Sequence, residues 1–317
     1  MSEKSCIGDR INTRNLIGTT LCELAGINTD IWALTPDSGL SLKPFIQSYP
    51  DRYIDTGIAE QNTAGIAAGL ALCGAIPFIV GMAPFVTMRA FEQNRTLFGY
   101  HNIPVRIIGY CAGMTTQGGS THYAMEDISI MRSIANMSVV SISDPFLMPS
   151  VIRKCIEHEG PVYIRLGNGR SDPVIYNPDT EHFSFGKGIV ARDGKDIAII
   201  SHGVMTILAI SLADKLKSEG ISVRVVDMCS IKPIDADLIE LCANENRHII
   251  VWEDHYTSGG LCSAVADVIV DRRLNPDSFS RVGIPELYPG FGADIELYNK
   301  FGMDDNGVEE LIRKLLG

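Results

Sequence analysis

The sequence lacks an excess of basic residues, and it lacks an unbroken apolar run long enough to span a membrane. Its 317 residues include 27 Lys and Arg against 38 Asp and Glu, so the net charge is −11. Domains that bind nucleic acid usually carry a basic patch, so this balance argues against a nucleic-acid partner. The longest apolar stretch, GIAAGLALCGAIPFIVGMAPFV, is broken by Gly and Pro as in a buried helix, turn and strand. With a polar N-terminus that has no apolar signal core, these features predict a cytoplasmic protein without a membrane partner.

Paired cysteines and metal-binding spacings are also missing. The eight cysteines are spread singly, no C-x-x-C occurs, and no Cys and His residues are spaced as zinc ligands. Several cysteines lie in apolar segments such as LALCGAI, which favours buried reduced thiols over a thiol nucleophile. The motifs G-x-x-x-x-G-K-[ST], H-E-x-x-H and G-x-S-x-G are absent, and so is G-D-G followed by Asn. We therefore predict no metal ligands within this chain.

The sequence does contain a regular alternation of strand-like and helix-like segments. DIWAL, RYID, IPFIV, VRIIGY, SVVSIS and PVYIRL are short β-rich runs, and residues 59–74 are typical of an Ala-rich helix. The alternation stops in a stretch rich in Gly, Pro, Asp and Asn, and it restarts with DIAIISHG. This pattern predicts an α/β protein with two open, mostly parallel, three-layer α/β/α domains. We expect a first domain at residues 1–172, a linker at 173–187 and a second domain at 188–317.

The stretch DTGIAEQN places a carboxylate at the beginning of the Ala-rich helix. Glu60 is followed by apolar sequence, so the helix that it starts must be largely buried. An acidic residue in the first turn complements the partial positive charge of a helix N-terminus. The alternative is that Glu60 takes part in chemistry, and the residues alone leave both interpretations open.

Two further stretches carry polar side chains in positions that need explanation. GMTTQGGSTHYAMED, residues 113–127, is a Gly- and Thr-rich loop that contains His122 and follows a predicted strand. Such loops line ligand sites in open α/β sheets, although an ordinary surface loop is an equally good interpretation. FVTMRAFEQNR, residues 85–95, has helical spacing, and a helix at a domain or subunit contact is favoured over a catalytic role for its charged residues.

The three stretches occur in one order and at one spacing. As a set, DTGIAEQN, APFVTMRAFEQ and GGSTHYAMED resemble the pyrimidine-binding part of transketolase and its thiamine-diphosphate-dependent relatives. DIAIISHGVM, VRVVDMCSIKPID and IIVWEDHYTSGGL resemble the C-terminal domain of the same family. Full-length transketolases also have an N-terminal domain that binds the cofactor diphosphate through Mg²⁺ with G-D-G…N. The resemblance therefore implies the C-terminal subunit of a split transketolase.

The resemblance also implies a set of partners. Thiamine diphosphate is the expected cofactor, and Mg²⁺ or Ca²⁺ is held mainly by a partner subunit that corresponds to the N-terminal domain. We expect an α2β2 heterotetramer with a homodimeric contact, in which the helix after Glu60 is buried between subunits. The isolated chain should then bind thiamine diphosphate poorly. The expected substrate is a sugar or sugar phosphate.

The family's cofactor contacts carry over to five positions. Glu60 matches the glutamate that hydrogen-bonds N1′ of the aminopyrimidine and promotes the imino tautomer that activates C2. Phe85 matches an aromatic residue that stacks on the pyrimidine ring, which is worth on the order of 1 kcal/mol beyond burial. Met82 stands where the family often has another aromatic residue. Ile58 and Arg89 complete the expected cofactor-binding set.

The expected substrate contacts follow the family less closely. His122 matches a histidine that contacts a substrate hydroxyl as a proton donor or polariser, so it is the second expected catalytic residue. Arg14 is the expected equivalent of an early phosphate-binding arginine. An acid in place of the family's Ser at Asp37 would repel a phosphate, which questions an ordinary pair of sugar phosphates. The other departures are Tyr110 in place of a His, Asn168 in place of an Arg and Gly118 in place of an Asp.

The resemblance implies that a two-carbon ketol unit is transferred from a ketose or its phosphate to an aldehyde. One alternative is a thiamine-diphosphate enzyme that decarboxylates a 2-oxo acid, similar to 1-deoxyxylulose-5-phosphate synthase or the β subunit of a 2-oxoacid dehydrogenase. Another is a non-catalytic assembly subunit, against which the joint presence of Glu60, Phe85 and His122 argues. The polar residues at strand ends of the second domain are expected to be structural or interfacial: His202, Glu253, Asp254 and His255.

Overall fold

The computed structural model describes residues 7–177 and 183–317. The chain divides into two compact units, the first drawn from the described residues of Met1–Ala112 and Ile130–Ser184, the second from Gly113–Ser129 and Phe185–Gly317. The His-containing loop therefore groups with the second unit, although it lies within the first predicted domain. Part of the predicted linker and the N-terminal Cys6 fall outside the described residues. The predicted domain limits at 172 and 188 stay a prediction.

The first unit is built on parallel strands that are buried on both faces. Strands of this kind read as continuous apolar runs, which is why the β-rich segments were recognisable in the sequence. Six strands of this unit lie side by side in the order Ser138–Ile142, Val162–Leu166, Arg106–Tyr110, Ile76–Met82, Ile31–Thr35 and Tyr53–Asp55. Every neighbouring pair among them is parallel. A short antiparallel pair links Arg10–Ile11, near the start of this unit's sequence, with Asp172–Pro173, near its end.

Helices connect these strands. Asn12 caps the first, because its side chain accepts a hydrogen bond from the backbone N–H of Asn15. The helices are Thr13–Ala25, Lys43–Ser48, Glu60–Leu72, Phe91–Gln93, Asp127–Ser133 and Leu147–Glu157, with 3₁₀ turns at Gly39–Leu42 and Pro50–Arg52.

The predicted helix near residues 86–98 has an unusual form. Phe85–Arg89 and Asn94–Gly99 are π-helical on either side of the short α-helical turn. The N–H of Tyr100 donates to the carbonyl of Arg95, five residues back, at 3.0 Å. Such wide turns are rare, and they occur frequently at functional sites.

The second unit has its own mostly parallel sheet. Its strand order is Ser278–Ile284, His248–Tyr256, Ile197–Ser201, Val223–Asp227 and Ile189–Arg192, of which only the last is antiparallel to its neighbour. Ser230–Lys232 is a further short strand. The helices are Val204–Lys217, Ala236–Glu245, Leu261–Asp271, Asp294–Lys300 and Asp305–Leu316.

Alternate residues along the central strands of the second unit face one apolar core. Ile200, Val226 and Val251 pack there with Ile239 and Val265, which come from two of the covering helices. The alternation follows from the period of two in a strand. Both units are thus sheets covered by helices, and the predicted α/β fold class is confirmed.

In the first unit, the parallel arrangement collects the predicted site residues at one edge. Parallel strands end at the same side of a sheet, and open α/β sheets bind ligands outside these carboxyl ends. Met82 and Tyr110 are paired in register at the ends of adjacent strands. Asp37, Glu60 and Asn168 follow the ends of three other strands of the same sheet.

Candidate active site

The carboxylate of Glu60 is buried at the first turn of helix Glu60–Leu72. The residue is 4% exposed. Nη1 of Arg89 lies 3.0 Å from Oε1 and 2.9 Å from Oε2, and this ion pair satisfies a charge that would be costly to bury alone. The Arg89 side chain is itself 45% exposed. The buried acid is thus separated from solvent mainly by a half-exposed partner.

Arg89 also covers the ring of Phe85. Its guanidinium carbon lies 4.3 Å from the ring centroid, a cation–π distance. Its carbonyl accepts a hydrogen bond from Nε2 of Gln61 at 3.2 Å, which ties the π-helical turn to the helix that starts at Glu60. Glu60, Phe85 and Arg89 therefore form one contact group, and their predicted role as cofactor contacts stays a prediction.

Two other predicted cofactor contacts frame this group. Met82 is half-buried at the end of its strand. Ile58 is 76% exposed in the turn before the helix. Gly57 has a φ of +66° in that turn, a conformation that favours glycine.

Three of the predicted substrate contacts meet at the ends of the neighbouring strands. The guanidinium of Arg14 stacks over the ring of Tyr110 at 4.1 Å, and its Nε donates to the carbonyl of Asn168 at 2.5 Å. Its Nη2 donates to Sγ of Cys111 at 2.9 Å. Burial raises the pKa of the Tyr110 phenol, and a hydrogen bond with Ser38 and the charge of Arg14 partly oppose that rise. Arg14 is thus already held by several protein groups.

Asp37 lies at the same edge of the sheet, just after the end of strand Ile31–Thr35. It is exposed, with a left-handed φ of +58°, and its N–H donates to Oδ1 of Asp55 at 3.1 Å. Gly57 donates to the same oxygen at 2.9 Å. Asp55 also accepts from the hydroxyl of Tyr53, and burial together with this carboxylate raises the pKa of Tyr53 to about 12. This end of the edge is acidic.

His122 lies in the second unit, in the loop that precedes helix Asp127–Ser133. Its Nδ1 is 2.9 Å from Oγ1 of Thr121. A Cβ at Gly118 would lie 2.6 Å from Cβ of His122, so glycine at this position allows the histidine to lie close. The loop is held by distant residues: Asp254 accepts from the N–H of Met114, and Tyr256 donates its N–H to the carbonyl of Met125.

Sequence reasoning did not find several members of these groups. Cys111 has a left-handed φ of +58° and accepts from Arg14, but only its place after a strand could have indicated it. Ser38, which forms a hydrogen bond with Tyr110, is next to Asp37 in the sequence, and no motif indicated it. Glu126, in the His122 loop, has a pKa raised by burial, against which the N–H of Met125 acts.

The second unit contains another buried glutamate. Glu253 accepts hydrogen bonds from the N–H groups of Leu261 and Cys262 at 2.7 and 2.8 Å. Nε2 of His202 and Nδ1 of His255 lie 3.8 and 3.9 Å from its Oε2, and all three side chains are fully buried. Burial alone would raise the pKa of Glu253, but His202, His255 and the cysteine lower it to about 2.

The described residues include neither a group placed to hold a metal ion nor a helix able to span a membrane. Among residues 7–177 and 183–317, no group of three or more His, Cys, Asp or Glu side chains is placed to hold a metal ion. Over the same part of the chain, none of the helices combines the length and apolarity that crossing a membrane requires.

Together, the sheets and the grouped side chains define an α/β protein whose first unit has a candidate ligand site at the carboxyl ends of its strands. The family model of the transketolase pyrimidine-binding domain matches residues 9–171, and that of the transketolase C-terminal domain matches residues 186–308. The chain belongs to the transketolase family, and the resemblance seen in the sequence is confirmed. Membership implies dependence on thiamine diphosphate.

Similar proteins agree with this assignment. A putative transketolase C-terminal section of Methanocaldococcus jannaschii is 36% identical, over 93% of each chain. One of the subunits of an apulose-4-phosphate transketolase of Phocaeicola vulgatus is 33% identical, over 94% of this chain and 95% of that protein. 1-Deoxy-D-xylulose-5-phosphate synthase 1 of Geobacter metallireducens is 30% identical, over 98% of this chain but 50% of that protein. A solved split-gene transketolase, described as an inactive beta4 tetramer, is 38% identical over 98% of each chain, with a TM-score of 0.86.

Proposed function

We propose that this chain is one subunit of a thiamine-diphosphate-dependent transketolase that moves a two-carbon ketol unit from a ketose to an aldehyde. The observation that carries the proposal is the Glu60 carboxylate, which is 4% exposed and is covered by the half-exposed Arg89 beside the ring of Phe85. A buried acid next to an aromatic ring fits an aminopyrimidine, which needs a proton partner and a flat apolar surface. Family membership supports the same cofactor.

Each residue of this group has a distinct role in the proposal. When bound, thiamine diphosphate supplies the carbon nucleophile that carries the ketol unit. Glu60 holds a proton at N1′ of the pyrimidine, and its burial keeps water from competing for that proton. Phe85 and Met82 contact the pyrimidine ring, and Ile58 lies at the exposed edge of the cofactor site. Arg89 pairs with the Glu60 carboxylate and covers it on the exposed side.

His122 acts on the substrate in this proposal. If the hydroxyl of Thr121 donates to Nδ1, which lies 2.9 Å away, Nε2 carries the ring proton. Nε2 then donates to a hydroxyl or carbonyl oxygen of the sugar. The role follows from the family match, and a His122→Gln variant, which keeps one donor, should lose less activity than His122→Ala.

A partner subunit supplies the rest of the cofactor site. No metal-holding group occurs among the described residues, and two of the matched relatives are named as a C-terminal section and as a transketolase subunit. We assign the diphosphate grip and Mg²⁺, or Ca²⁺, to an N-terminal transketolase subunit, in an α2β2 assembly with a homodimeric contact. Titration calorimetry of the isolated chain should show weak binding of thiamine diphosphate. Tight, Mg²⁺-dependent binding would contradict the assignment of the diphosphate and metal site to the partner subunit.

We propose that the end of the substrate that lies near Arg14 and Asp37 is uncharged. Arg14 is already engaged with Tyr110, Asn168 and Cys111, and the exposed Asp37 adds negative charge to the same sheet edge. A phosphate there would be repelled by the carboxylate, by roughly 1 kcal/mol at a distance of several ångströms. Asp37→Ser should lower KM for a phosphorylated ketose about fivefold and leave KM for the unphosphorylated sugar unchanged.

One assay separates ketol transfer from decarboxylation. The synthase relative, which this chain matches over half of that protein's length, favours the alternative that a 2-oxo acid is decarboxylated. The chain and its N-terminal partner are mixed with thiamine diphosphate and Mg²⁺, then supplied with ketose and aldehyde pairs or with pyruvate. Ketol transfer without carbon dioxide release supports the proposal, whereas turnover of pyruvate alone would overturn it.

A further inference from the structure

One turn of the second unit exposes an unusual number of large apolar side chains. Among the described residues of this unit, eight large hydrophobic side chains are exposed, and four of them fall within nine residues. We call this segment the aromatic turn: it comprises residues 287–295 and presents Leu287, Tyr288, Phe291 and Ile295. Tyr288 is 75% exposed and Phe291 is 82% exposed. Large apolar side chains exposed close together along one short segment are typical of interaction sites on soluble proteins.

Hydrogen bonds hold the aromatic turn in one shape. The hydroxyl of Tyr256 donates to the carbonyl of Leu287 at 3.1 Å, and the N–H of Gly290 donates to Oγ of Ser120 at 3.0 Å. The φ of Gly290 is +84°, which favours glycine in this turn. Because these hydrogen bonds hold the backbone of the segment, the backbone loses little conformational entropy when a partner binds.

The aromatic turn is continuous with the loop that carries His122. Phe291 packs over Gly119, where an added Cβ would lie 2.5 Å from the ring. Ser120 accepts from the turn, and the hydroxyl of Tyr123 lies 3.4 Å from the carbonyl of Gly292. Contacts with the turn therefore occur on both sides of His122. A molecule seated on the turn would touch the same loop.

The charges around the turn decide between possible occupants. Glu286 and Glu296 are exposed and Asp294 is half-exposed, while residues 284–299 contain no Lys or Arg. A symmetric contact between two copies would place these acids against each other, in a chain whose net charge is already −11. A different chain with an apolar pocket and a basic rim avoids that repulsion.

We infer that the aromatic turn is a docking surface for the partner subunit that holds the cofactor diphosphate. The inference rests on the proposed function, which requires that partner to complete a site containing His122. Phe291 and Tyr288 are the anchors, since exposed aromatic side chains that become buried dominate binding at many interfaces. The acidic rim steers the partner into place.

The test measures binding of the full chain to its N-terminal companion, a protein of about 270–300 residues that contains G-D-G followed by Asn. Phe291→Ser and Tyr288→Ser should each raise Kd about tenfold or more. Val270→Ser is the matched control, because Val270 is 73% exposed on a helix of the same unit and lies outside the turn. Its Kd should equal that of the unchanged chain. Thermal melts of each variant show that the fold is intact.

A charge reversal gives an independent measurement. Glu286→Lys should slow association several-fold at low salt, and the difference should shrink as salt is added. Unchanged Kd for both aromatic variants would overturn the inference. So would a loss of self-association in sedimentation with no change in binding to the companion, since that result makes a second copy the occupant.

The failure of the inference is distinguishable from failure of the proposed function. If the unchanged pair transfers ketol units and the aromatic variants bind equally well, only the docking surface is wrong. If the pair forms and the variants weaken it, but no ketol transfer occurs, the docking surface stands and the proposed reaction is wrong.

Discussion

The two units each bury a glutamate at the amino end of a helix, but the groups that contact the two carboxylates differ in how exposed they are. Glu60 belongs to its helix, and its partner Arg89 is 45% exposed. Glu253 belongs to the preceding strand, and its oxygens accept from the backbone of Leu261 and Cys262. Two fully buried histidines lie beside Glu253.

The comparison shows that burial alone does not identify a functional acid. Both glutamates are at most 4% exposed. At Gly260, a Cβ would lie 2.1 Å from Oε2 of Glu253, so the backbone closes over that carboxylate. Glu253 is committed to capping a helix, whereas the contact of Glu60 with a half-exposed side chain can be exchanged for a ligand. The predictions below test this difference.

The largest expected effect concerns activity. Glu60→Gln keeps the shape of the side chain but removes the proton-holding carboxylate, so turnover of the assembled enzyme should fall about 10²–10⁴-fold. The melting temperature of the chain should change by only a few degrees. Steady-state kinetics of the reconstituted pair measures this, and unchanged turnover would favour the non-catalytic assembly role.

The next effect concerns stability. Glu253→Ala removes two hydrogen bonds to a helix N-terminus and leaves two histidines without their carboxylate, which should cost roughly 3–5 kcal/mol of unfolding free energy. Glu60→Ala is the matched variant and should cost about 1 kcal/mol, because its partner is half exposed. Urea titration of the isolated chain compares them. Equal losses would contradict the distinction between the two sites.

The pH dependence of stability should follow Glu253. Its pKa in the folded chain, about 2, lies below the ordinary value of 4.5. The ionised form therefore stabilises the fold fully above pH 4.5, and that contribution is lost as the pH falls from about 4.5 to 2. The difference in unfolding free energy between the unchanged chain and Glu253→Gln should shrink across this range. A constant difference would show that the carboxylate is not ionised in the fold.

The smallest effect concerns Arg89. Arg89→Lys keeps a positive charge beside Glu60 and loses the planar contact with Phe85, so stability should change by less than about 1 kcal/mol. The KM for thiamine diphosphate should change several-fold, because the residue that covers the acid is altered. Arg95→Met, which breaks the exposed pair with Glu92, is the control and should leave that KM unchanged.

Much of the fold was predictable because buried parallel strands are continuous apolar runs. The segment DIAIIS became the strand Ile197–Ser201, and the Ala-rich segment became the helix Glu60–Leu72. The π-helical turns near Phe85 were not predictable, since they have nearly the same spacing of apolar residues as an α-helix.

The candidate site was only partly predictable, for a different reason. The place of Glu60 follows from local pattern, but its pairing with Arg89 joins residues that are 29 positions apart. The contact of Arg14 with Cys111 spans 97 positions. Such pairs depend on how strands are ordered in the sheet, which one sequence does not specify. The roles of these residues stay predictions.

The loop around His122 has a consequence for anyone who divides the chain. Gly113 lies so close to Asp254 that a Cβ would fall 1.7 Å from its Oδ2, and Ser129 donates its N–H to His255. A fragment that stopped at residue 172 would keep the loop's sequence and lose both supports. A hybrid enzyme made by exchanging halves between two relatives would pair the loop of one parent with the supports of the other. The two segments should therefore be inherited and engineered as a unit, although the contacts between them join residues 126 and 140 positions apart in the chain.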